Sequence, residues 1–161
     1  MPEFGSKSLA TLATVHPALQ ALFAAVVQVY DCSVVSGRRT AEEQAALFAE
    51  GRTTLDGVEK LSRHQPEYWL EKGGPLVARE LSGAVLVGAV DVVPYPVNWN
   101  NRERFLLFAG YVDGVARSMG IVLVWGGDWN SNVYRADNGL RDQSFDDLPH
   151  FQIASLDERW T

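Results

Sequence analysis

The sequence predicts a single α+β domain, in which helices pack against a small, mostly antiparallel sheet. The first observation is the order of its elements, which is helix, strand, helix, irregular excursion, strand, long helix, strand, loop and strand. The second is the length of 161 residues, which suits one domain with a core of useful size. The third is a composition of 47% apolar and 21% charged residues, typical of a globular protein.

The first predicted helix and strand come early in the chain. Residues 17–30 carry apolar side chains at helical spacing, and Pro17 suits the first helical position because its missing N–H costs nothing there. His16 is then expected to be a helix-entry residue near the surface rather than a ligand. Residues 32–35 are predicted to form a short strand, in which Cys32 is a small buried residue rather than a nucleophile.

A second helix is predicted over residues 41–50. Thr40 is its N-cap, and Glu43 completes a capping box. The chain then becomes irregular. Residues 65–82 are interpreted as an excursion from the core, with a short helix over 77–81.

The second half returns to regular structure. Residues 84–93 form the most strand-like segment of the chain, and a long helix with an asparagine cap is predicted over 100–119. Residues 121–125 are predicted to be another buried strand, followed by a polar loop over 132–145.

The last predicted strand, residues 150–153, alternates polar and apolar side chains. His150 and Gln152 would share one face, and Phe151 and Ile153 the other. The apolar face is suited to packing, whereas the face with His150 needs another explanation.

Composition excludes several functions. The net charge of −6 argues against nucleic acid as the main partner and against attraction to an anionic membrane. A single cysteine excludes an internal disulfide, a tetrathiolate zinc site and an iron–sulfur cluster. No signal peptide or membrane-spanning apolar segment is recognisable, so the protein is expected to be made and kept in the cytoplasm until released.

Asp91 is the most informative polar residue, because it interrupts a strand that is otherwise apolar. A buried carboxylate without a partner costs several kcal/mol, so it must be paired or bound to a cation. An ion pair with an arginine such as Arg39 is one explanation. With His64 and His150 available, metal ligation is the better one.

Two imidazoles and one carboxylate form an open three-ligand set that is typical of catalytic zinc. Such a site also needs a base to move protons. Asp147, just before His150, is the natural candidate, with Asp146 as the near alternative. Both could instead be ordinary loop acids or a cap.

The chain resembles the D-Ala-D-Ala carboxypeptidase and L-alanyl-D-glutamate endopeptidase family (the M15 peptidases, VanY-like), and within it the bacteriophage endolysins. Seven short motifs, each weak alone, stand in family order and together span nearly the whole chain. These motifs are residues 15–17, 36–40, 43–44, 62–64, 89–91, 125–129 and 147–151.

The resemblance implies a Hedgehog/DD-peptidase-like zinc peptidase domain over residues 1–161. It implies one Zn²⁺ held by His64, Asp91 and His150. Asp147 would be the general base and acid, and Arg39 would contact the substrate or the developing oxyanion. The other matched residues are candidate substrate contacts, namely Arg38, Gln44, Ser62, Trp125 and Asp128. Arg38 stands where the family often has an aromatic residue.

The connection between the first two predicted ligands departs from the family. The family joins them by a tight turn, whereas His64 and Asp91 are 27 positions apart here. Loop closure becomes only slowly more costly with length, so such an insertion is tolerable. We expect the inserted residues, at about 65–87, to form a flap at the edge of the active site.

The function implied by the resemblance is hydrolysis of peptidoglycan stem peptides at the L-Ala–D-Glu bond during host lysis. One alternative is a D,D- or L,D-carboxypeptidase that removes terminal D-Ala with the same catalytic residues. Another is a non-catalytic, zinc-containing wall-binding module, although the Asp147 position is retained. By analogy, the enzyme would be a monomer that needs a holin-type partner to leave the cytoplasm.

Overall fold

The computed structural model describes residues 1–131 and 145–160. Helices and strands follow one another along the chain without a repeating order, and two short 3₁₀ turns are also present. The elements are α1 (Ser6–Leu12), α2 (Pro17–Val27), β1 (Cys32–Ser36), α3 (Ala41–Ala49), α4 (Pro66–Lys72), β2 (Ala78–Arg79), β3 (Val85–Leu86), β4 (Ala89–Pro94), α5 (Arg102–Ser118), β5 (Ile121–Trp125) and β6 (His150–Leu156), with the turns at Gly74–Leu76 and Glu158–Trp160.

Four strands form the main sheet in the order β1-β4-β6-β5, and every neighbouring pair is antiparallel. The α+β prediction is therefore confirmed. The register places Asp91 opposite Ser36 on one side and opposite His150 on the other. Because β4 is an inner strand, Asp91 lies between Ser36 of β1 and His150 of β6.

The core lies between this sheet and helices α2 and α5. Phe151 is at its centre, because its ring meets Phe23 of α2 at 5.7 Å and Phe108 of α5 at 6.0 Å, both edge to face. Ile153 is buried on the same face of β6. The period-two interpretation of the last strand is thus confirmed for its apolar face.

Several element boundaries also agree with the sequence. The capping box at Thr40 and Glu43 is formed, and the β5 strand has the predicted bounds. Asn101 caps α5 by accepting a hydrogen bond from the Arg104 N–H. Helix α2 ends at Val27, three residues earlier than predicted, and α1 was not predicted at all.

Two predictions about the chain before Asp91 are wrong. Residues 77–81 are not helical, because β2 pairs with β3 in a small antiparallel hairpin. The predicted strand over 84–93 is split into β3 and β4 around Gly88. A Cβ atom at Gly88 would lie 2.6 Å from the Trp69 ring, so the aromatic ring occupies the space beside the backbone at this point.

His16 is buried rather than near the surface, with only 3% of its area exposed. Its Nδ1 accepts a hydrogen bond from the Ala18 N–H and so caps α2. Its Nε2 lies 3.2 Å from the carbonyl oxygen of Pro75. Burial lowers the pKa of His16, which favours the neutral form of the ring.

The inserted segment packs closely against the rest of the domain. Trp69 of α4 is 1% exposed and belongs to the core. The Arg38 guanidinium donates hydrogen bonds to Glu80 Oε1 at 2.7 Å and to the Val85 carbonyl oxygen at 3.2 Å. Arg38 therefore ties the hairpin to the rest of the domain at two points, one just after β2 and one in β3.

Two remaining expectations concern the predicted loop and membrane spans. The polar loop predicted over 132–145 lies outside the described residues, except for Phe145. Within the described part of the chain, no helix has the length and apolar character needed to cross a membrane.

Candidate metal centre

Three predicted ligands meet at one end of the main sheet. Asp91 and His150 are brought together by the antiparallel pairing of β4 and β6. His64 comes from the turn before α4, where the Arg39 N–H donates to its carbonyl oxygen at 2.7 Å. The two histidine side chains are buried, with 5% of their area exposed, and the Asp91 side chain is 16% exposed.

The three ligand atoms form a nearly regular triangle. His64 Nε2 is 3.1 Å from Asp91 Oδ1 and 3.3 Å from His150 Nδ1, and the third side measures 3.0 Å. A tetrahedral zinc ion with ligand distances of about 2.0–2.1 Å separates its ligand atoms by about 3.3 Å. The triangle therefore has the size of one face of a zinc coordination tetrahedron.

Hydrogen bonds at the far side of each imidazole indicate where its proton sits. His64 Nδ1 lies 2.7 Å from the Gly37 carbonyl oxygen, and His150 Nε2 lies 3.1 Å from Gln152 Oε1. Both partners are acceptors, so these nitrogens must donate. In the neutral rings, the nitrogens that face Asp91 then carry lone pairs. Three acceptors that converge in a buried space are stabilised by a cation between them, and such outer hydrogen bonds are typical of metal-ligating histidines.

Electrostatics agree with a cation site. Burial alone would raise the pKa of Asp91, but the adjacent His64 and His150 hold it well below its ordinary value, so the carboxylate stays ionised. Burial lowers the pKa of His150, and the Asp91 carboxylate more than offsets this, so that pKa is raised. Asp91 thus attracts positive charge to this position, as a proton or as a metal ion.

Asp147 lies beside the triangle. Its N–H donates to the Gly126 carbonyl oxygen at 2.8 Å, and its own carbonyl accepts from the His150 N–H at 3.0 Å. Burial and the nearby Asp91 raise the pKa of its carboxyl group, against the opposing effect of His150. Asp146, in contrast, forms an ion pair with Arg102 at 2.5 Å.

Gly126 is required for this arrangement. Its N–H donates to the His150 carbonyl oxygen, and its carbonyl oxygen accepts from the Asp147 N–H. A Cβ atom at this position would lie 2.2 Å from the Asp147 carbonyl oxygen. No side chain fits in that space, so the glycine lets the segment before β6 approach the end of β5.

Arg39 lies near the same carboxylates. Its guanidinium donates to Gln44 Oε1 at 2.8 Å and to Ser36 Oγ at 3.1 Å. Burial lowers its pKa, while Asp91 is the largest of the charges that raise it. A direct Arg39–Asp91 ion pair, considered above as the alternative to a metal, is not formed between these described residues; Asp91 pairs with the two histidines.

The other candidate substrate contacts fall into three groups. Gln44 and Ser62 are buried and support the centre: Gln44 holds Arg39 and donates to the Leu55 carbonyl, and Ser62 Oγ accepts from the His64 N–H at 3.3 Å. Arg38 points instead to the inserted hairpin.

Trp125 and Asp128 form the third group. The Trp125 indole N–H donates to the Leu148 carbonyl at 2.8 Å, which ties β5 to the segment before β6. Both residues also line a cavity of about 140 Å³ beside α5, whose lining includes none of the three ligands.

Sequence reasoning missed three residues at the centre. Gly37 contributes only its backbone carbonyl, and although it belongs to the matched motif over residues 36–40, no role was assigned to it. Trp129 places its ring 5.3 Å from that of His150. Gln152 had a signal, because it shares the polar face of β6 with His150, yet no role was assigned to it.

Comparison with known proteins gives concordant results. A family model described as phage L-alanyl-D-glutamate peptidase matches residues 2–154. The L-alanyl-D-glutamate peptidase of Escherichia phage T5 is 28% identical over 135 residues, which cover 81% of this chain and 83% of that protein. The crystal structure of the Serratia marcescens L-Ala D-Glu endopeptidase ChiX is similar, with 25% identity, a TM-score of 0.60, and coverage of 94% of this chain and 90% of that one.

Proposed function

Because the chain belongs to the phage L-alanyl-D-glutamate peptidase family, we propose that it hydrolyses the L-Ala–D-Glu bond of peptidoglycan stem peptides with one zinc ion held by His64, Asp91 and His150. It is a peptidase that acts on peptidoglycan, as its relatives are. The observation that carries the proposal is the triangle of ligand atoms, with sides of 3.0–3.3 Å, beside Asp147.

Zinc, when bound, supplies a Lewis acid for attack on the scissile carbonyl. The donor set fits this ion, because two neutral imidazoles and one carboxylate leave a coordination position open. The outer hydrogen bonds from the histidines to Gly37 and Gln152 fix the tautomers that such a site needs.

Asp147 is proposed as the general base and acid. It takes a proton from the attacking water and passes it to the departing amine. Its raised pKa suits both steps, since a carboxyl group closer to neutrality accepts and returns a proton more readily. Asp146 is less suited to this role, because it is paired with Arg102.

Arg39 is proposed to stabilise the negative charge that develops on the carbonyl oxygen. Its guanidinium remains protonated despite its lowered pKa, because arginine stays charged in proteins. Gln44 and Ser36 hold it in place before substrate binds, which is the preorganisation that electrostatic catalysis requires.

We further propose that the chain acts as a single domain and a monomer, in which residues 65–87 border the substrate site. A holin-type partner would give it access to the wall from the cytoplasm. Cells that produce the chain alone should lyse only after their inner membrane is permeabilised, and the purified protein should elute as a monomer. Lysis of such cells without any permeabilisation contradicts the need for a partner.

Digestion of purified peptidoglycan tests the main proposal. The masses of the products should show new N-terminal D-Glu and free L-Ala ends, and metal analysis should find one zinc per chain. His150→Ala should lose both properties. Release of D-Ala alone would instead identify a carboxypeptidase, and full activity of the metal-free protein would exclude zinc.

A further inference from the structure

Two positive charges contact one aromatic ring in the segment that begins just before the ligand His64. The guanidinium carbon of Arg63 lies 4.6 Å from the centre of the Tyr68 ring, and Lys72 Nζ lies 5.4 Å from the same point. Both distances are within the range of cation–π attraction. The Tyr68 ring therefore contacts both cations.

Neither cation forms an ion pair within the described parts of the chain. This is unexpected in a protein with 20 acidic and 14 basic residues. A cation that contacts an aromatic ring and has no carboxylate partner of its own can still bind an anion from another molecule.

Arg63 is held in place by α4. The Trp69 indole N–H donates to the Arg63 carbonyl oxygen at 2.6 Å, and Trp69 itself is buried. The Tyr68 ring is partly buried and packs against the core. It also contacts the Arg63 guanidinium through its face. The inserted segment thus fixes a half-buried arginine whose next residue in the chain is the ligand His64.

The substrate class named for the relatives supplies a matching anion. Glutamic acid has two carboxyl groups, and the onward peptide chain uses only one of them. A D-Glu residue on the leaving side of the scissile bond therefore keeps a free carboxylate within one residue of the reacting carbonyl. Arginine is suited to such a group because its planar guanidinium can bind both oxygens.

We propose that Arg63, supported by Tyr68 and assisted by Lys72, is a carboxylate-binding subsite that recognises the free carboxylate of the stem peptide. This inference depends on the proposed function for its substrate, and it gives the inserted segment a purpose, which is to position Arg63. Arg63 is in this sense a specificity-determining residue and takes no part in proton transfer.

The test compares two synthetic stem peptides that differ only at the D-Glu residue, one with the free carboxylate and one with the corresponding carboxamide. The parent should cleave the carboxylate peptide with a kcat/KM roughly 10- to 100-fold higher, the range for a hydrogen bond to a charged group. Arg63→Gln should remove this preference, mainly through KM, and Arg63→Lys should restore part of it. Arg79→Gln is the matched control, because Arg79 is an exposed arginine of the same segment that bonds only within its hairpin.

Equilibrium binding separates this inference from the proposed function. Calorimetric titration of both peptides into the Asp147→Asn protein should show the same carboxylate preference without any cleavage. If the parent cleaves neither peptide but the preference in binding is retained and lost with Arg63→Gln, the proposed reaction fails and the subsite stands. Equal binding of both peptides, or an unchanged preference in an Arg63→Gln protein with full zinc content, overturns the subsite.

Discussion

Asp91 and His150 face each other across the β4–β6 pairing, and their Oδ1 and Nδ1 atoms lie 3.0 Å apart. The candidate metal site is therefore part of the sheet register itself. A slip of one residue would turn every side chain of β6 to the other face and separate the ligands. Metal binding and correct strand pairing are for this reason expected to support each other.

Metal removal should lower the stability of the folded protein. A ligand present at 1,000 times its Kd stabilises the native state by about 4 kcal/mol, so the melting temperature should fall when zinc is withdrawn with a chelator. The His150→Ala protein should show no such response. His16→Ala is the matched control, because it removes the third histidine, an N-cap worth about 1 kcal/mol, yet should keep the full zinc-dependent shift. An equal response of all three proteins contradicts the assignment of the ligands.

Gln152 should control metal affinity through His150. Gln152→Met keeps the shape of the side chain but removes the acceptor for His150 Nε2–H. Loss of such an outer hydrogen bond typically weakens metal binding by about 10- to 100-fold. Gln152→Glu retains an acceptor oxygen and should bind zinc nearly as well as the parent. Competition with a chromogenic chelator measures the effect, and an unchanged zinc affinity of the methionine variant would refute this role.

Asp147→Asn should raise the stability of the protein and lower its activity. The raised pKa means that the folded state holds the Asp147 proton to higher pH than the unfolded state does, so stability falls as pH rises through that window. At neutral pH the ionised carboxylate therefore destabilises the metal-free fold, and the asparagine variant should melt at a higher temperature. Its kcat should fall by about 10²- to 10⁴-fold, the usual contribution of a general base.

Asp146→Asn provides the comparison for that variant. It removes the ion pair with Arg102 but leaves the centre intact, so it should keep most of its activity and gain no stability. In the parent, activity should decline toward acid pH as Asp147 becomes protonated. A pH profile that is the same in the parent and in Asp147→Asn would show that another group is the base.

Gly88→Ala should destabilise the protein by about 1–3 kcal/mol, the typical cost of overpacking a core. The added Cβ would meet the buried Trp69 ring at 2.6 Å and push α4 away from β4. Gly114→Ala is the control, because this glycine lies on an exposed turn of α5 with nothing within 4 Å, and the change should stabilise the helix by about 0.5–1 kcal/mol. Urea denaturation midpoints measure both, and similar shifts for the two variants would contradict the packing argument.

Local sequence signals were sufficient for much of this fold. The strand at Ile121–Trp125 and the capping box at Thr40 depend on neighbouring residues only, so they could be predicted. Asp91 could also be recognised, since a carboxylate within an apolar strand needs a partner whatever the tertiary structure is.

The errors concern features that depend on distant residues. Residues 77–81 have helix-forming side chains, yet Ala78 and Arg79 pair with β3 on the other side of the following turn. The buried His16 ring contacts the Pro75 carbonyl oxygen, which lies 59 positions further along the chain. None of these partners lies within one helical or strand period of the residue that it fixes.

The way in which His64 is held has a consequence for how such enzymes diverge. Its ring is fixed by the Gly37 carbonyl and its backbone by the Arg39 N–H, and both of these groups lie outside the connection that leads to Asp91. That connection can accordingly gain or lose residues over evolution without displacing either ligand. It is also the natural place to graft a foreign recognition hairpin, and so to direct the same hydrolytic centre to a differently substituted cell wall.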